Sequence, residues 1–225
     1  MKKTIILVAL LLVSIVSIAQ IKYGVRAGMT LSKYGPIGIY ESQKRFYSFK
    51  PGFHIGTSID FPFKSSRFSF STGLYFSDKG TKIYGHFPYE GMRVHLLSDE
   101  FTFEATESNY SLEVPLLFTY NIQMNKNISI KPQIGFFVAY TLFGETEGER
   151  VFKQNYSNPN TEISYNYLPS DYLIGIGLNT GISFIYKNIS FTYSCDLGAE
   201  TLKSDQSTYH NVSMLTMFFS LGYNF

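Results

Sequence analysis

The sequence predicts an all-β fold, a closed antiparallel transmembrane β-barrel of about eight strands with long extracellular loops and short periplasmic turns. Three observations predict it. Bulky apolar residues alternate with small or polar ones through most of the chain. The connections between the alternating segments are short and long in turn. Beyond residue 19 no apolar run reaches the ~20 residues a membrane-spanning helix requires.

The first nineteen residues stand apart. Met1-Lys2-Lys3 is a short positive segment, Thr4 to Ile18 is almost wholly apolar, and Ser17-Ile18-Ala19 places small residues at −3 and −1 of a cut before Gln20. That is the layout of a secretory signal peptide, with cleavage expected after Ala19 and the barrel domain over 20–225. An anchoring helix is the weaker reading, because the run is too short to span. No Cys stands at the cut, so a lipoprotein anchor is not expected. Of 19 basic and 17 acidic residues, Lys2 and Lys3 leave with the leader, so the mature chain is balanced at 17 of each. A balanced chain offers no basic footprint for nucleic acid. One cysteine, Cys195, excludes an internal disulfide framework, so closure or packing must hold the exported chain together.

The strands read in order. Tyr23, Val25, Met29 and Leu31 oppose Gly24, Arg26, Gly28 and Thr30; Phe53, Ile55, Ile59 and Phe61 oppose His54, Gly56, Ser58 and Asp60. Phe68, Phe70, Leu74 and Phe76 oppose Ser69, Ser71 and Gly73. The run from Tyr110 to Ile122 and the run from Ile130 to Tyr140 alternate in the same way, as do three further segments from Tyr172 to Phe225. Phe101, Phe103 and Ala105, opposite Lys79–Tyr84, suggest a hairpin that continues past the membrane. The connections fall near Tyr34–Tyr47, Pro62–Ser66, Gly80–Ser108, Gln123–Asn127, Gly144–Pro169, Lys187-Asn188 and Leu202–Tyr209. A soluble sandwich also alternates, but its outer face is normally richer in Lys and Glu, and it has no reason to alternate its loop lengths. With 21 Phe and 18 Tyr, the apolar faces end in aromatic residues, as interfacial girdles require.

These residues resemble the PorT-like outer-membrane β-barrel family common in Bacteroidetes. The resemblance rests on Tyr23-Gly24-Val25-Arg26-Ala27-Gly28-Met29-Thr30-Leu31-Ser32, with its spaced glycines, and on Leu112-Glu113-Val114-Pro115-Leu116-Leu117. The start at Ala19-Gln20 and the ending Gly222-Tyr223-Asn224-Phe225 fit as well. The resemblance implies the fold and the outer membrane; a few members serve a secretion and gliding system, which makes such an assembly, or an uptake assembly, the alternative role. Phe219, Leu221, Tyr223 and Phe225 form an alternating, aromatic-ended last strand similar to the signal read by the barrel-assembly machinery.

Chemistry-bearing residues are sparse. Arg26, His54, Asp60, Glu113, Lys131, Asp196 and Glu200 fall on the small-residue faces, where charges must pair or meet water because burying them alone is costly. Arg26, Glu113, Lys131 and Asp196 are therefore expected to form a charge network that fills the lumen, with Glu113 and Lys131, on adjacent strands, as its pair. No catalytic residue, metal ligand or cofactor is expected. His86 and His95, near Asp99 and Glu100, carry no nucleophile motif, so an outer-leaflet lipid-modifying enzyme is a minor alternative. Glu145, Glu147 and Glu149, with Glu162, read as a solvated acidic loop rather than a cation site. Tyr34, Tyr40, Tyr47, Tyr84, Tyr89, Tyr156, Tyr165 and Tyr167 enrich the outside loops and suit contact with a surface protein or glycan. The expected function is a structural or surface-interaction barrel bathed in outer-membrane lipid.

Overall fold

The computed structural model describes residues 21–34, 45–64, 66–87, 101–152, 161–167, 172–203 and 209–225. The leader, His95, Asp99, Glu100, Tyr40, Tyr89 and Tyr156 lie outside them. The strands are β1 (Lys22–Tyr34), β2 (Arg45–Ser48), β3 (Lys50–Pro62), β4 (Phe68–Phe87), β5 (Phe101–Tyr120), β6 (Ile122–Gln123), β7 (Ile128–Phe152), β8 (Thr161–Tyr167), β9 (Tyr172–Tyr186), β10 (Ile189–Lys203) and β11 (Tyr209–Asn224).

Eight of these close a ring. β1, β3, β4, β5, β7, β9, β10 and β11 each pair with two ring neighbours, and β11 returns antiparallel to β1, from Gly24↔Asn224 to Tyr34↔Met214. Closure satisfies backbone groups that would each cost several kcal/mol unpaired in hydrocarbon. Short connections at 63–67, 121–127 and 187–188 gather at the end that also holds Lys22 and Phe225. The longer ones leave from the other end, which sets periplasmic and outer sides.

The burial pattern is inverted relative to a soluble protein. Met29, Ile55, Phe118, Ile134, Phe136, Ile176 and Leu221 point out and are exposed, whereas Thr30, Ser77, Ser111, Thr192 and Thr216 are buried inside. Aromatic contacts border the apolar belt at both ends. Phe68 packs on Tyr120 (4.8 Å) and Tyr223 on Phe225 (5.3 Å) at the periplasmic side. At the outer side Tyr110 stacks against both Phe76 and Phe143 (6.1 and 4.6 Å).

Three strands overrun the expected loops. β4 and β5 have 20 residues each and β7 has 25, far beyond the ~9–11 a tilted crossing needs. Their outer halves stay paired, as Phe87↔Phe101 and Phe101↔Phe152 show. β2 pairs with β4 and β8 with β7, giving a projecting sheet in the order β2-β4-β5-β7-β8. The extended hairpin of β4 and β5 was legible as alternation. The supposed loop from Gly144 is instead the continuation of β7 and then β8; a bulge at Leu142 shifts the alternation by one residue and hides it.

Inside the wall of the ring, Phe137 lies under the facing pair Gly177↔Gly198. A Cβ on Gly198 would stand 2.5 Å from Phe137 Cζ, and one on Gly177 would stand 2.7 Å from Phe137 Cε1. Gly198→Val should therefore lower the urea midpoint of the barrel by the equivalent of about 1–3 kcal/mol, the usual cost of overpacking. Adding Phe137→Ala should recover part of that loss. Far-UV circular dichroism and unboiled gel mobility measure this in a chain that has no Trp.

Candidate functional site

The lumen is built from the inward residues of all eight ring strands, and its charges stack in tiers. Nearest the periplasm, Lys131 on β7 reaches Asp60 on β3 across the barrel (2.7 Å), and Ser71 donates to the same carboxylate (2.5 Å). Above it, His54 Nε2 meets Ser220 Oγ at 2.8 Å, and the ring stands edge-on to Phe218 (5.2 Å). A cavity of about 40 Å³ opens here, lined by Arg26, His54, Tyr75, Glu113, Gln133 and Phe218. It is polar and roomy enough for water.

The central tier is the most enclosed. Lys79, with no exposed surface, donates to Glu113, and its Nζ lies 3.6 Å from Asp196 Oδ2. Asn179 donates to Asp196 Oδ1 (2.5 Å). The ammonium also sits 5.0 Å from the Phe137 ring centre and 5.3 Å from that of Phe218, within cation–π range. One cation thus holds two carboxylates between two aromatic faces.

At the outer end, Lys50 pairs with Asp78 (2.5 Å), and Thr30 donates to the Asp78 carbonyl (2.7 Å). Tyr34 donates to Glu107 (2.6 Å) and accepts from Asn109 (2.8 Å). Gly80, at φ 148°, turns its N–H to Ser32 Oγ (2.7 Å). Its conformation and the approach of the Glu107 carbonyl leave no room for a side chain.

The expected pair of Glu113 and Lys131 does not form. Their strands are adjacent, but Glu113 faces Ala139, eight residues along β7 from Lys131. At a rise of ~3.4 Å per residue that is roughly 27 Å, so each side chain takes a nearer partner. Arg26 and Asp196 both face inward, Arg26 onto the cavity and Asp196 onto Lys79. Asp78 and Lys79 are absent from the expected network because the alternation of their strand is read only to Phe76, and Lys50 because that of β3 is read only from Phe53. The inward phase of Ser69, Ser71, Gly73, Tyr75 and Ser77 runs on to Lys79, and that phase was the available signal.

Tyr34, expected as a loop contact, is instead buried in the outer plug, with Tyr47 edge-on against it at 6.1 Å. Tyr84 is outward and exposed, and Tyr165 and Tyr167 lie on β8. The acidic residues are strand residues. Glu149 stands opposite Glu104 on one side and Glu162 on the other, while Glu145 accepts from Tyr110 (2.9 Å). Among the described residues no group of three or more His, Cys, Asp or Glu side chains is arranged to hold a metal ion. Phe219, Leu221, Tyr223 and Phe225 face out of the barrel.

A family model described as "Outer membrane protein beta-barrel domain" matches residues 18–224. No curated protein matches the chain. Among solved structures it is similar to Ail of Yersinia pestis in complex with the heparin analogue sucrose octasulfate, at 14% identity and TM-score 0.42, covering 92% of this chain and 100% of that one. It is also similar to OprG of Pseudomonas aeruginosa (10%, TM-score 0.45, 91% and 95% covered). The outer membrane protease OmpT of Escherichia coli aligns at 10% identity and TM-score 0.30, with 93% and 100% covered.

Removing the central cation should be the costliest single change in the lumen. Lys79→Met leaves Glu113 and Asp196 buried together without a counter-charge, a loss of about 3–5 kcal/mol by urea titration. Adding Glu113→Gln and Asp196→Asn to that variant should restore most of it. Lys131→Met should cost less, because its pair with Asp60 keeps some contact with water.

Proposed function

Because the chain belongs to the outer membrane protein beta-barrel domain family, we propose that it is a non-catalytic surface-interaction barrel, anchored in the outer membrane and presenting its projecting sheet to a surface protein or glycan. The observation that carries this reading is the contrast between the two parts of the molecule. The lumen is closed by three tiers of paired charge, while β4, β5 and β7 extend well beyond any crossing length and carry β2 and β8 at their flanks. A plugged ring suits an anchor, and a strand-built extension suits a rigid contact surface. Exposed Tyr84 provides aromatic area at low entropy cost.

In this reading the leader is removed after Ala19, and the barrel-assembly machinery takes up the last strand by Phe219, Leu221, Tyr223 and Phe225. The spaced glycines of β1 and the Leu112–Leu117 segment support a PorT-like position within the family. Membership of a secretion or uptake assembly is the alternative.

The test compares the intact barrel with a variant in which residues 82–105 are replaced by a tight turn. Both are placed in lipid nanodiscs and presented to arrays of glycans and purified surface proteins. The intact barrel should bind at least one ligand that the shortened one does not. Neither should show steady conductance in planar bilayers, and lipid A should keep its mass in cells producing the protein. Binding by neither form, together with open-channel conductance, would refute the reading. A lipid A mass change abolished by His86→Ala or His95→Ala would point to the enzyme instead.

A further inference from the structure

The outward wall on the side away from the projecting hairpin carries a concavity. Phe136, Leu178, Leu197, Leu215 and Lys33 form one continuous row across β7, β9, β10, β11 and β1, each directly opposite the next. In the row above, Ile176 is followed by Ala199 and then Ser213, which face each other. Between the rows the strands pass through Gly177 and Gly198, whose faces turn inward onto Phe137, so on the outer wall the small residues are Ala199 and Ser213. Small residues flanked by large ones leave a groove of about 960 Å³ whose wall is almost wholly apolar. Lys33, one residue from the end of β1, stands where the outer loops leave, with its ammonium 4.7 Å from the Phe49 ring centre. Among the described residues Lys33 makes no ion pair.

We propose that this groove is a binding site for a phosphorylated glycolipid of the outer leaflet, its acyl chains in the groove and its phosphate on Lys33. Three features select that occupant. The groove lies against hydrocarbon, where a hollow forfeits dispersion contacts unless chains fill it, and packing is what drives association in a bilayer. It crosses five strands, about 19 Å at ordinary strand spacing, which accommodates several chains side by side rather than the two of a glycerophospholipid. Its single cation is at the outer end, held near the interface by an aromatic ring, so the anionic headgroup must come from the outer leaflet. The site does not depend on whether the projecting sheet binds a partner.

Native mass spectrometry of the intact barrel, titrated with diphosphorylated lipid A, tests the proposal. One lipid A should be retained per barrel. Lys33→Ala should weaken binding about fivefold, the ordinary effect of one lysine near an anionic headgroup. Dephosphorylated lipid A should bind the unmodified barrel as weakly as the phosphorylated lipid binds Lys33→Ala. Ala199→Phe, which fills the groove, should abolish retention, while Lys82→Ala on β4 should leave it unchanged. Equal retention by the unmodified barrel and both groove variants overturns the site. Phosphatidylglycerol bound as tightly as lipid A overturns the choice of lipid. A dimer that Ala199→Phe disperses would make the face a self-association surface and overturn the proposal too.

Discussion

The pairing of β11 with β1 is the contact on which the other features depend. Without it the eight strands form an open sheet with two edges, and every unpaired N–H and C=O on those edges would face hydrocarbon. Once the first and last strands are joined, eleven consecutive residue pairs from Gly24↔Asn224 to Tyr34↔Met214 satisfy those groups. Closure also fixes what each face must be. The outside meets acyl chains and takes Phe, Ile and Leu; the inside of an eight-stranded ring is only wide enough for side chains and takes Gly, Ser and Thr. The charged residues then have one place to go, and they have to find one another there.

How they do so follows from register rather than from strand adjacency. Lys131 reaches across the lumen to β3, and Lys79 gathers partners from β5 and β10. A narrow barrel brings far walls within the reach of a lysine, so a partner three strands away, Asp60, is nearer to Lys131 than Glu113 on the adjacent strand, displaced along it. The glycines serve the same end. Gly177 and Gly198 admit the ring of Phe137, and that ring in turn forms one wall of the Lys79 site. Removing bulk from the wall is what allows an aromatic residue into an otherwise small-residue interior.

Much of this was legible in the sequence because a period of two is the one pattern that both the wall and the lipid impose. The ring of eight, its turn lengths, and the inward phase of Arg26, Asp60, Glu113, Lys131 and Asp196 all follow from alternation. What alternation does not carry is the third dimension. It says that Glu113 and Lys131 share a face, but not how far the tilt and register separate them. Past Gly80 it still shows the extended hairpin, but the bulge at Leu142 shifts it by one residue and hides the continuation of β7. The inward role of Tyr34 was hidden for a related reason, since a tyrosine at a strand end satisfies a girdle, a loop or a plug equally well.

The two interruptions divide the barrel into unlike halves. Past Gly80 and Leu142, β4, β5 and β7 rise above the membrane and recruit β2 and β8 as flanking strands. On the other half, β1, β9, β10 and β11 have 13 to 16 residues and end near the membrane boundary. Tall strands place paired backbone above their outer wall; on the low half Lys33 stands one residue from the end of β1, where a headgroup in the proposed site meets it while its chains lie against the wall below. The small outward residues Ala199 and Ser213 occur on this low half. The recess lies mainly on this low half, with only its Phe136 end on the tall strand β7. Unequal strand length, set by where alternation is allowed to continue, thus determines both where the molecule can meet a soluble partner and where it can hold a lipid.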